Sequence, residues 1–284
     1  MPVPALEYPP VLCQNPAMQT LLPSIAAMAY AAALAALVAG VSGTVAMARG
    51  ERGAMALAVP AALLHAIVLW QDSWTTAGLN LSVLNATSLL GWLMTVMLLL
   101  AVLRHPVQSL GLVVFPFAGL ALLAAALLGV PGKALVPLGA AVDIHVLSSV
   151  LAYAVLGLAT AQALVLAWQE SSLRRRRAGT IIGLLPPLQN MEGLLFQLLA
   201  SGFLLLSLSL VTGWLFVENL FAQDLVHKTV LSMLAWVVFA ALLIGRQRAG
   251  WRGRTAIRWT LTGFVLLALG YFGSKVVLEV ILAG

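Results

Sequence analysis

Eight apolar stretches divide this chain, and short polar segments separate them. A helix needs about 20 apolar residues to cross the hydrocarbon core of a bilayer. The pattern therefore predicts an all-α, polytopic membrane protein with eight transmembrane helices. The predicted spans cover residues 21–47, 54–71, 83–103, 108–129, 145–168, 192–216, 228–245 and 259–281. Residues 1–20 are predicted to form a non-cytoplasmic tail, and residues 21–284 a single eight-helix domain.

Composition supports the membrane assignment and narrows the choice of partners. The chain has 284 residues, of which 62% are hydrophobic and 8% are charged, whereas about 25% of residues are charged in a typical soluble protein. A net charge of +6 is compatible with nucleic-acid binding, but the arginines lie in short loops between apolar runs. Membrane topology and anionic lipid headgroups explain that distribution better. We therefore expect membrane lipid, and no nucleic acid, as a partner.

The basic residues fall mainly on one side of the predicted helices. Twelve of the fifteen Lys and Arg lie in loops after odd-numbered spans, including the run 174–177. The other three are Lys133, Lys228 and Lys275. Lys and Arg in short loops mark the cytoplasmic side of a membrane protein. We therefore predict that both termini are non-cytoplasmic in a multi-pass membrane protein.

Three of the four histidines are predicted to lie at or near the non-cytoplasmic side. His65 lies about five residues inside the outer end of the second span, whereas His145 and His227 open the fifth and seventh spans. His105 follows Arg104 in a basic loop and is interpreted as an ordinary loop residue. Neutral imidazole is a common metal ligand, and two imidazoles can hold a haem iron. His145, His227 and His65 are therefore the candidate iron ligands; the alternatives are an interfacial polar role for His145 and His227 and a structural hydrogen bond for His65.

Aromatic residues and one lysine near the same side are candidate contacts for a flat cofactor. Trp70, Trp74, Trp214 and Phe221 are predicted at one level, where they could form an apolar shelf beside a porphyrin. Aromatic side chains are also common at any membrane interface. Lys275 could pair with a haem propionate, or form an interfacial pair with Glu279 four residues later.

One helix start is predicted from local capping chemistry. Asn190 is a candidate N-cap of the sixth span, with Glu192 in the first turn. An Asn side chain accepts a hydrogen bond from the first free backbone N–H groups, and a carboxylate there favours the helix dipole.

Four segments resemble the cytochrome c assembly family, the haem-handling membrane proteins typified by CcsA and CcmC. They are HVLSSVLAYAVLG at 145–157, LNLSVLNATSLLGW at 79–92, the Pro-led helix at 186–216, and GWRGRTAIRWTLTGFVLLALGYFG at 250–273. Within the family, the resemblance is nearest to the short YpjD-like inner-membrane proteins, which are related to HemX. It implies haem binding, a role around cytochrome c maturation and a location in the bacterial inner (plasma) membrane. By position, His145 and His65 match two histidines of the family.

The chain also departs from the family pattern. The Trp-rich outer motif is replaced by WLFVENLFAQDLVHKT at 214–229, and the histidine ahead of the WRG element is replaced by GRQR at 245–248. The terminal outer histidine is missing near 277–280. These departures put a complete four-histidine path for haem in doubt. His227 is an additional histidine that could take the vacant outer position.

The leading functional prediction is binding or handling of haem b at the outer face, without catalytic turnover. His145 is the preferred ligand, and its partner is His227 or His65; similar depth favours His227. A haem-delivery or cytochrome-maturation protein is the expected partner. The alternatives are a membrane scaffold or regulatory partner that kept the fold without haem, and a transporter of a small solute. The sequence has no His-x-x-x-His pair that would indicate a zinc hydrolase.

Overall fold

The structure is a computed structural model, and it describes most of the chain. The described backbone covers residues 16–75, 78–80, 82–128, 135–136, 140–174, 187–216 and 223–273. Side chains are described for residues 20–72, 82–128, 144–174, 187–215 and 228–271.

Eight α-helices make up nearly all of the described chain. They are α1 (Pro16–Val41), α2 (Met47–Ser73), α3 (Val83–Val102), α4 (Gly111–Leu128), α5 (Ala140–Arg174), α6 (Leu188–Phe216), α7 (Gln223–Ala249) and α8 (Gly253–Ala268). A 3₁₀ turn at Gln108–Leu110 precedes α4, and a π-helical segment at Leu269–Gly273 continues α8. Seven of these helices, α1 to α7, are long and apolar enough to cross a membrane. The eighth predicted span is described only as far as Gly273.

The helices pack as two groups of four that follow chain order. In the first group α1 packs against α2 and α4, and α3 packs against both α2 and α4. In the second group α5 packs against α6 and α8, and α7 packs against both α6 and α8. Contacts of α5 with α3 and α4 join the two groups. Helix α5 therefore lies at the centre of the bundle, where it can present side chains to both groups.

Small residues allow the closest helix approaches. A Cβ atom added at Gly50 would lie 2.7 Å from the Ala36 carbonyl oxygen, so α1 and α2 touch through their backbones. At Gly91 an added Cβ would lie 2.8 Å from the Cα of Ala118, between α3 and α4. Lipid tails are as apolar as Leu side chains, so close van der Waals packing of this kind replaces the hydrophobic effect in holding membrane helices together.

Two loops at one end of the bundle pair as a small antiparallel sheet, which the all-α prediction missed. Its strands are β1 (Trp74–Thr75), β2 (Gly78–Asn80) and β3 (Leu135–Val136), in that spatial order. Trp74 pairs with Leu79, and Leu79 pairs with Val136. The sheet lies where α2 and α4 end and α3 and α5 begin. We call this the sheet end of the bundle, and the other end, which carries the arginines of the described loops, the basic end.

Candidate functional site

His145 lies inside α5 near the sheet end, and its ring is held by α6. The helix begins at Ala140, so His145 is five residues into it and does not open it as predicted. The side chain is half-buried. Its Nδ1 atom lies 3.0 Å from the carbonyl oxygen of Ser209 and 3.4 Å from the hydroxyl of Thr212. A carbonyl oxygen only accepts hydrogen bonds, so Nδ1 carries the ring proton. In a neutral imidazole the lone pair then belongs to Nε2.

Hydroxyl groups of α5 and α6 reinforce this arrangement. The Ser149 hydroxyl donates to the His145 carbonyl oxygen at 2.6 Å and lies 2.7 Å from the Ser209 hydroxyl. Thr212 Oγ1 lies 2.9 Å from the Leu208 carbonyl oxygen and 3.0 Å from that of Ser209. These bonds tie α5 to α6 around the imidazole and fix the position of the carbonyl group that accepts from it.

Gly213 supplies the space that the imidazole ring occupies. A Cβ atom built at this glycine would lie 3.0 Å from His145 Cε1 and 3.3 Å from Nδ1, closer than most real contacts of a Cβ atom. The missing side chain therefore lets the ring lie close to α6. The sequence pattern showed only one more glycine in an apolar span, so this role was not predictable without the neighbouring helix.

His65 occupies a different environment, the closed interior of the first helix group. Its side chain is fully buried. Nε2 lies 2.9 Å from the Ser88 hydroxyl of α3, and Nδ1 lies 3.3 Å from the Tyr30 hydroxyl of α1. Helix α2 continues to Ser73, so His65 lies eight residues, or about 12 Å, from its end. This is deeper than the 7–8 Å predicted from the sequence. Both ring nitrogens have hydrogen-bond partners, an arrangement that favours a structural role.

His227 is placed by its backbone alone. Helix α7 begins at Gln223, so His227 lies four residues into the helix and, like His145, does not open it. At 1.5 Å per residue, His227 lies about 6 Å from the start of α7, and His145 lies about 7–8 Å from the start of α5. These distances are measured along each helix, so the similar depth of the two histidines stays a prediction. The side chain of His227 lies outside the described residues, so the pairing with His145 stays a prediction.

The predicted aromatic shelf is described only in part. Trp70, near the end of α2, is 57% exposed, and Trp214, near the end of α6, is 76% exposed. Both side chains therefore face away from the packed interior. The side chain of Trp74, and Phe221 and Lys275 altogether, lie outside the described residues. Their contact with a cofactor remains a prediction.

A second polar contact lies deeper on the same face of α5. Tyr153 follows His145 and Ser149 at successive spacings of four residues, which places all three along one helix face. The Tyr153 hydroxyl donates to the Leu267 carbonyl oxygen of α8 at 2.6 Å, and its ring lies 5.8 Å from that of Tyr271. Tyr271 belongs to the π-helical segment, a feature that often occurs near functional sites. The sequence reasoning did not single out either tyrosine.

The remaining predicted chemistry lies elsewhere. His105 follows the end of α3 at the basic end and is exposed, as expected for a loop residue. Within the described residues, no group of three or more His, Cys, Asp or Glu side chains is arranged to hold a metal ion. Among the histidines whose side chains are described, His145 is the one that is partly exposed and whose ring proton is assigned by a hydrogen bond.

A bundle of membrane-length helices, with an imidazole oriented between two of them, defines a multi-pass helical membrane protein with a candidate ligand site near one end. The sequence places it more narrowly. The chain belongs to the cytochrome c assembly family: the model of the family described as "Cytochrome C assembly protein" matches residues 53–282. This confirms the resemblance found in the sequence.

Individual relatives agree with the family assignment. The chain is 33% identical over 263 residues to "Inner membrane protein YpjD" of Escherichia coli strain K12, covering 90% of this chain and 97% of the relative. It is 36% identical over 143 residues to an uncharacterized 28.8 kDa protein of Azospirillum brasilense, covering 50% of this chain and 53% of that protein. It is 26% identical over 87 residues to "Cytochrome c biogenesis protein CcsA" of Nostoc punctiforme, covering 30% of this chain and 25% of that protein. No solved structure matches the chain.

Proposed function

We propose that this protein binds haem b at the non-cytoplasmic end of an inner-membrane bundle, with His145 Nε2 as an iron ligand, and that it handles haem without catalytic turnover. The relative from Escherichia coli is named as an inner membrane protein, and the relative from Nostoc punctiforme is named for cytochrome c biogenesis. Family membership supports a role around haem, and the site supports the choice of residue.

The observation that carries the proposal is the hydrogen bond from His145 Nδ1 to the Ser209 carbonyl oxygen, at 3.0 Å. Histidines that bind metals usually donate the other ring N–H to a carbonyl oxygen or a carboxylate, which fixes the tautomer and the ring orientation. His145 has this arrangement, with Nε2 left as the basic nitrogen. Haem would supply the redox-active iron, while the chain supplies the imidazole and its orientation.

The geometry of His65 favours His227 as the second ligand. Binding to iron through either nitrogen of His65 would leave a buried hydroxyl of Ser88 or Tyr30 without that hydrogen bond. Leaving a buried polar group unsatisfied costs about 1–3 kcal/mol. Binding through Nε2 of His145 would keep the bond from its Nδ1 to Ser209, and His227 lies four residues into its helix where His145 lies five. In this proposal His65 holds α1, α2 and α3 together.

A titration with haem tests the proposal. We expect the detergent-solubilised wild type to give a low-spin absorption spectrum typical of two imidazoles. His145→Ala should lose at least ten-fold in affinity or become high-spin. His105→Ala, at the basic end, is the matched control and should behave as wild type. Equal haem binding by the wild type and by a triple His65, His145, His227→Ala variant would exclude this site.

A membrane scaffold without haem is the second candidate function. The exposure of Trp214 and Trp70 favours it, because both side chains face away from the packed interior. The replaced Trp-rich motif at 214–229 points the same way. A wild-type protein that shows no haem absorbance with added haem, and that co-purifies with a partner protein, would support this alternative. A cytochrome-maturation protein is the partner we propose for either function.

A further inference from the structure

A cavity of about 180 Å³ opens at the basic end, between α5 and α8. It is far from the sheet end that carries His145. Its lining combines an apolar floor with a charged rim, from Ala167, Glu170, Ser171, Arg254, Ile257 and Arg258. The volume is several times the roughly 30 Å³ that one water molecule occupies in the liquid. The cavity can therefore hold a ligand group larger than water.

The rim carries a surplus of positive charge. Glu170 Oε1 lies 3.1 Å from Arg174 Nη2 and 3.1 Å from Arg254 Nε. Arg258 is one helical turn beyond Arg254 and lines the same cavity. Arg174 lies outside the cavity lining, so the two arginines and one carboxylate of the rim leave a formal local charge of +1. Glu170 engages Arg254 through Nε, and a guanidinium has five N–H donors. The positive charge of Arg254 and Arg258 therefore exceeds the negative charge of Glu170, and this surplus favours the binding of an anion.

The cavity lies near the polar ends of α5 and α8, and apolar residues follow it one turn deeper on both helices. Ala167 and Ile257 form its floor. One turn deeper on the same helices are Leu164, which is 41% exposed, and the half-buried Leu261. Trp168, at the same level as the cavity, is 40% exposed, and tryptophan is enriched where a membrane meets water. A ligand that fills both parts must join an anionic head to a hydrocarbon chain.

The geometry points to a binding site for the phosphate of an anionic phospholipid, with an acyl chain along the apolar residues of α5 and α8 that follow the cavity. Arginine matches phosphate oxygens with paired N–H donors. Basic pockets between membrane helices at the cytoplasmic side are suited to such headgroups. Glu170 has a double effect: it positions Arg254 and Arg174, and its negative charge weakens the binding of an anion.

Lipid retention measured by native mass spectrometry tests this site. Purified protein would be relipidated with phosphatidylglycerol or phosphatidylcholine, or given inorganic phosphate alone. We expect phosphatidylglycerol to be retained through delipidation and to raise the thermal midpoint, and we expect neither effect from the other two. Arg258→Gln should reduce retention several-fold. Arg52→Gln, at the basic end of α2 and away from the cavity, should retain as much lipid as the wild type.

Glu170→Gln gives a result of opposite sign. Removing the carboxylate takes the negative charge from the rim and frees Arg254 from its ion pair, so retention of phosphatidylglycerol should rise above the wild type. A purely structural role for Glu170 would lower the thermal midpoint without raising retention, and that result would overturn the site. Equal retention by Arg258→Gln and the wild type would also overturn it. Stabilisation by inorganic phosphate alone would replace the lipid with a free anion as the ligand.

Discussion

At the scale of single residues, two histidines of one chain have opposite environments. His145 is half-buried and anchored through one nitrogen to the Ser209 carbonyl oxygen. His65 is fully buried and bonded through both nitrogens, to Ser88 and Tyr30. The first arrangement leaves Nε2 of His145 available to bind a ligand. In the second, the imidazole of His65 links three helices through hydrogen bonds. Residue type is identical in the two cases, so the difference comes from the neighbours.

Replacing His65 tests its structural role. His65→Ala removes hydrogen bonds to two buried hydroxyl groups and leaves a cavity among α1, α2 and α3. Hydrogen bonds between membrane helices average about 0.6 kcal/mol, and the cavity adds to their loss, so we expect a destabilisation of about 1–3 kcal/mol in reversible unfolding in detergent. Ser88→Ala, which removes one partner, should cost less. Unchanged stability together with lost haem binding would instead make His65 a ligand.

Filling the space beside His145 tests the ring position. Gly213→Val places side-chain carbons where a Cβ already lies 3.0 Å from His145 Cε1, so the ring must move away from the Ser209 carbonyl oxygen. We expect haem affinity to fall several-fold in an absorbance titration. Gly193→Val is the matched control on the same helix, because a Cβ there meets no atom within 4 Å. Equal affinities for the two variants would contradict the described ring position.

At the scale of elements, several helices extend beyond the apolar stretches that predicted them, whereas the first span was predicted to residue 47 and α1 ends at Val41. Helix α5 was predicted over 145–168 and runs from Ala140 to Arg174. Its last turns are polar, and the i,i+4 pair of Glu170 with Arg174 supports them. Hydropathy marks only the part of a helix that crosses hydrocarbon, so it misses turns in the headgroup layer. For the same reason the predicted starts at His145 and His227 were several residues late.

The prediction that Asn190 caps the sixth helix was wrong. Helix α6 begins at Leu188, so Asn190 lies inside the helix and does not cap it. Glu192 Oε1 instead accepts a hydrogen bond from the Gly253 backbone N–H at 2.8 Å, across at the start of α8. Gly253 has a φ of +50°, which favours glycine. Sequence spacing finds a local cap, but it has no information about a carboxylate sixty-one positions away.

Glu192 provides a test at this scale. Glu192→Ala removes the acceptor and the negative charge at the N-terminus of α8. We expect a loss of about 0.5–2 kcal/mol in reversible unfolding, in the range of N-cap substitutions. Glu192→Gln keeps an oxygen acceptor and should retain most of the stability. If alanine and glutamine are equally well tolerated, the contact with Gly253 contributes nothing to the fold.

At the scale of the whole molecule, the hydrophobic and charge patterns predicted more of the structure than the local sequence motifs did. Eight helices and the separation of His145 from His105 were evident from the sequence. The packing of the helices into two groups of four, and the orientation of His145 by Ser209, Thr212 and Gly213, were not. Those features depend on which helices become neighbours, and one apolar helix surface is much like another in a sequence. The small sheet was missed because its strands have only two or three residues.

Membrane orientation is the prediction that belongs to the whole chain. Arginines gather at one end of the described bundle, and basic loops stay in the cytoplasm. We therefore expect an alkaline phosphatase fusion after residue 284 to be active in cells, and a fusion near residue 176 to be inactive. A fluorescent protein that requires the cytoplasm should report the reverse pattern. Active phosphatase at residue 176 would place His145 on the cytoplasmic side and remove the proposed outer haem site.

Chemical rescue of a single variant is the most direct test of the central claim that the His145 imidazole binds haem iron. His145→Gly removes that imidazole and leaves a space beside Gly213. With haem added, we expect the variant to give a weak, high-spin spectrum. Free imidazole should then restore the low-spin spectrum of the wild type, and it should have no such effect on a His105→Gly control. A His145→Gly variant that keeps the wild-type affinity and spectrum without imidazole would contradict the claim.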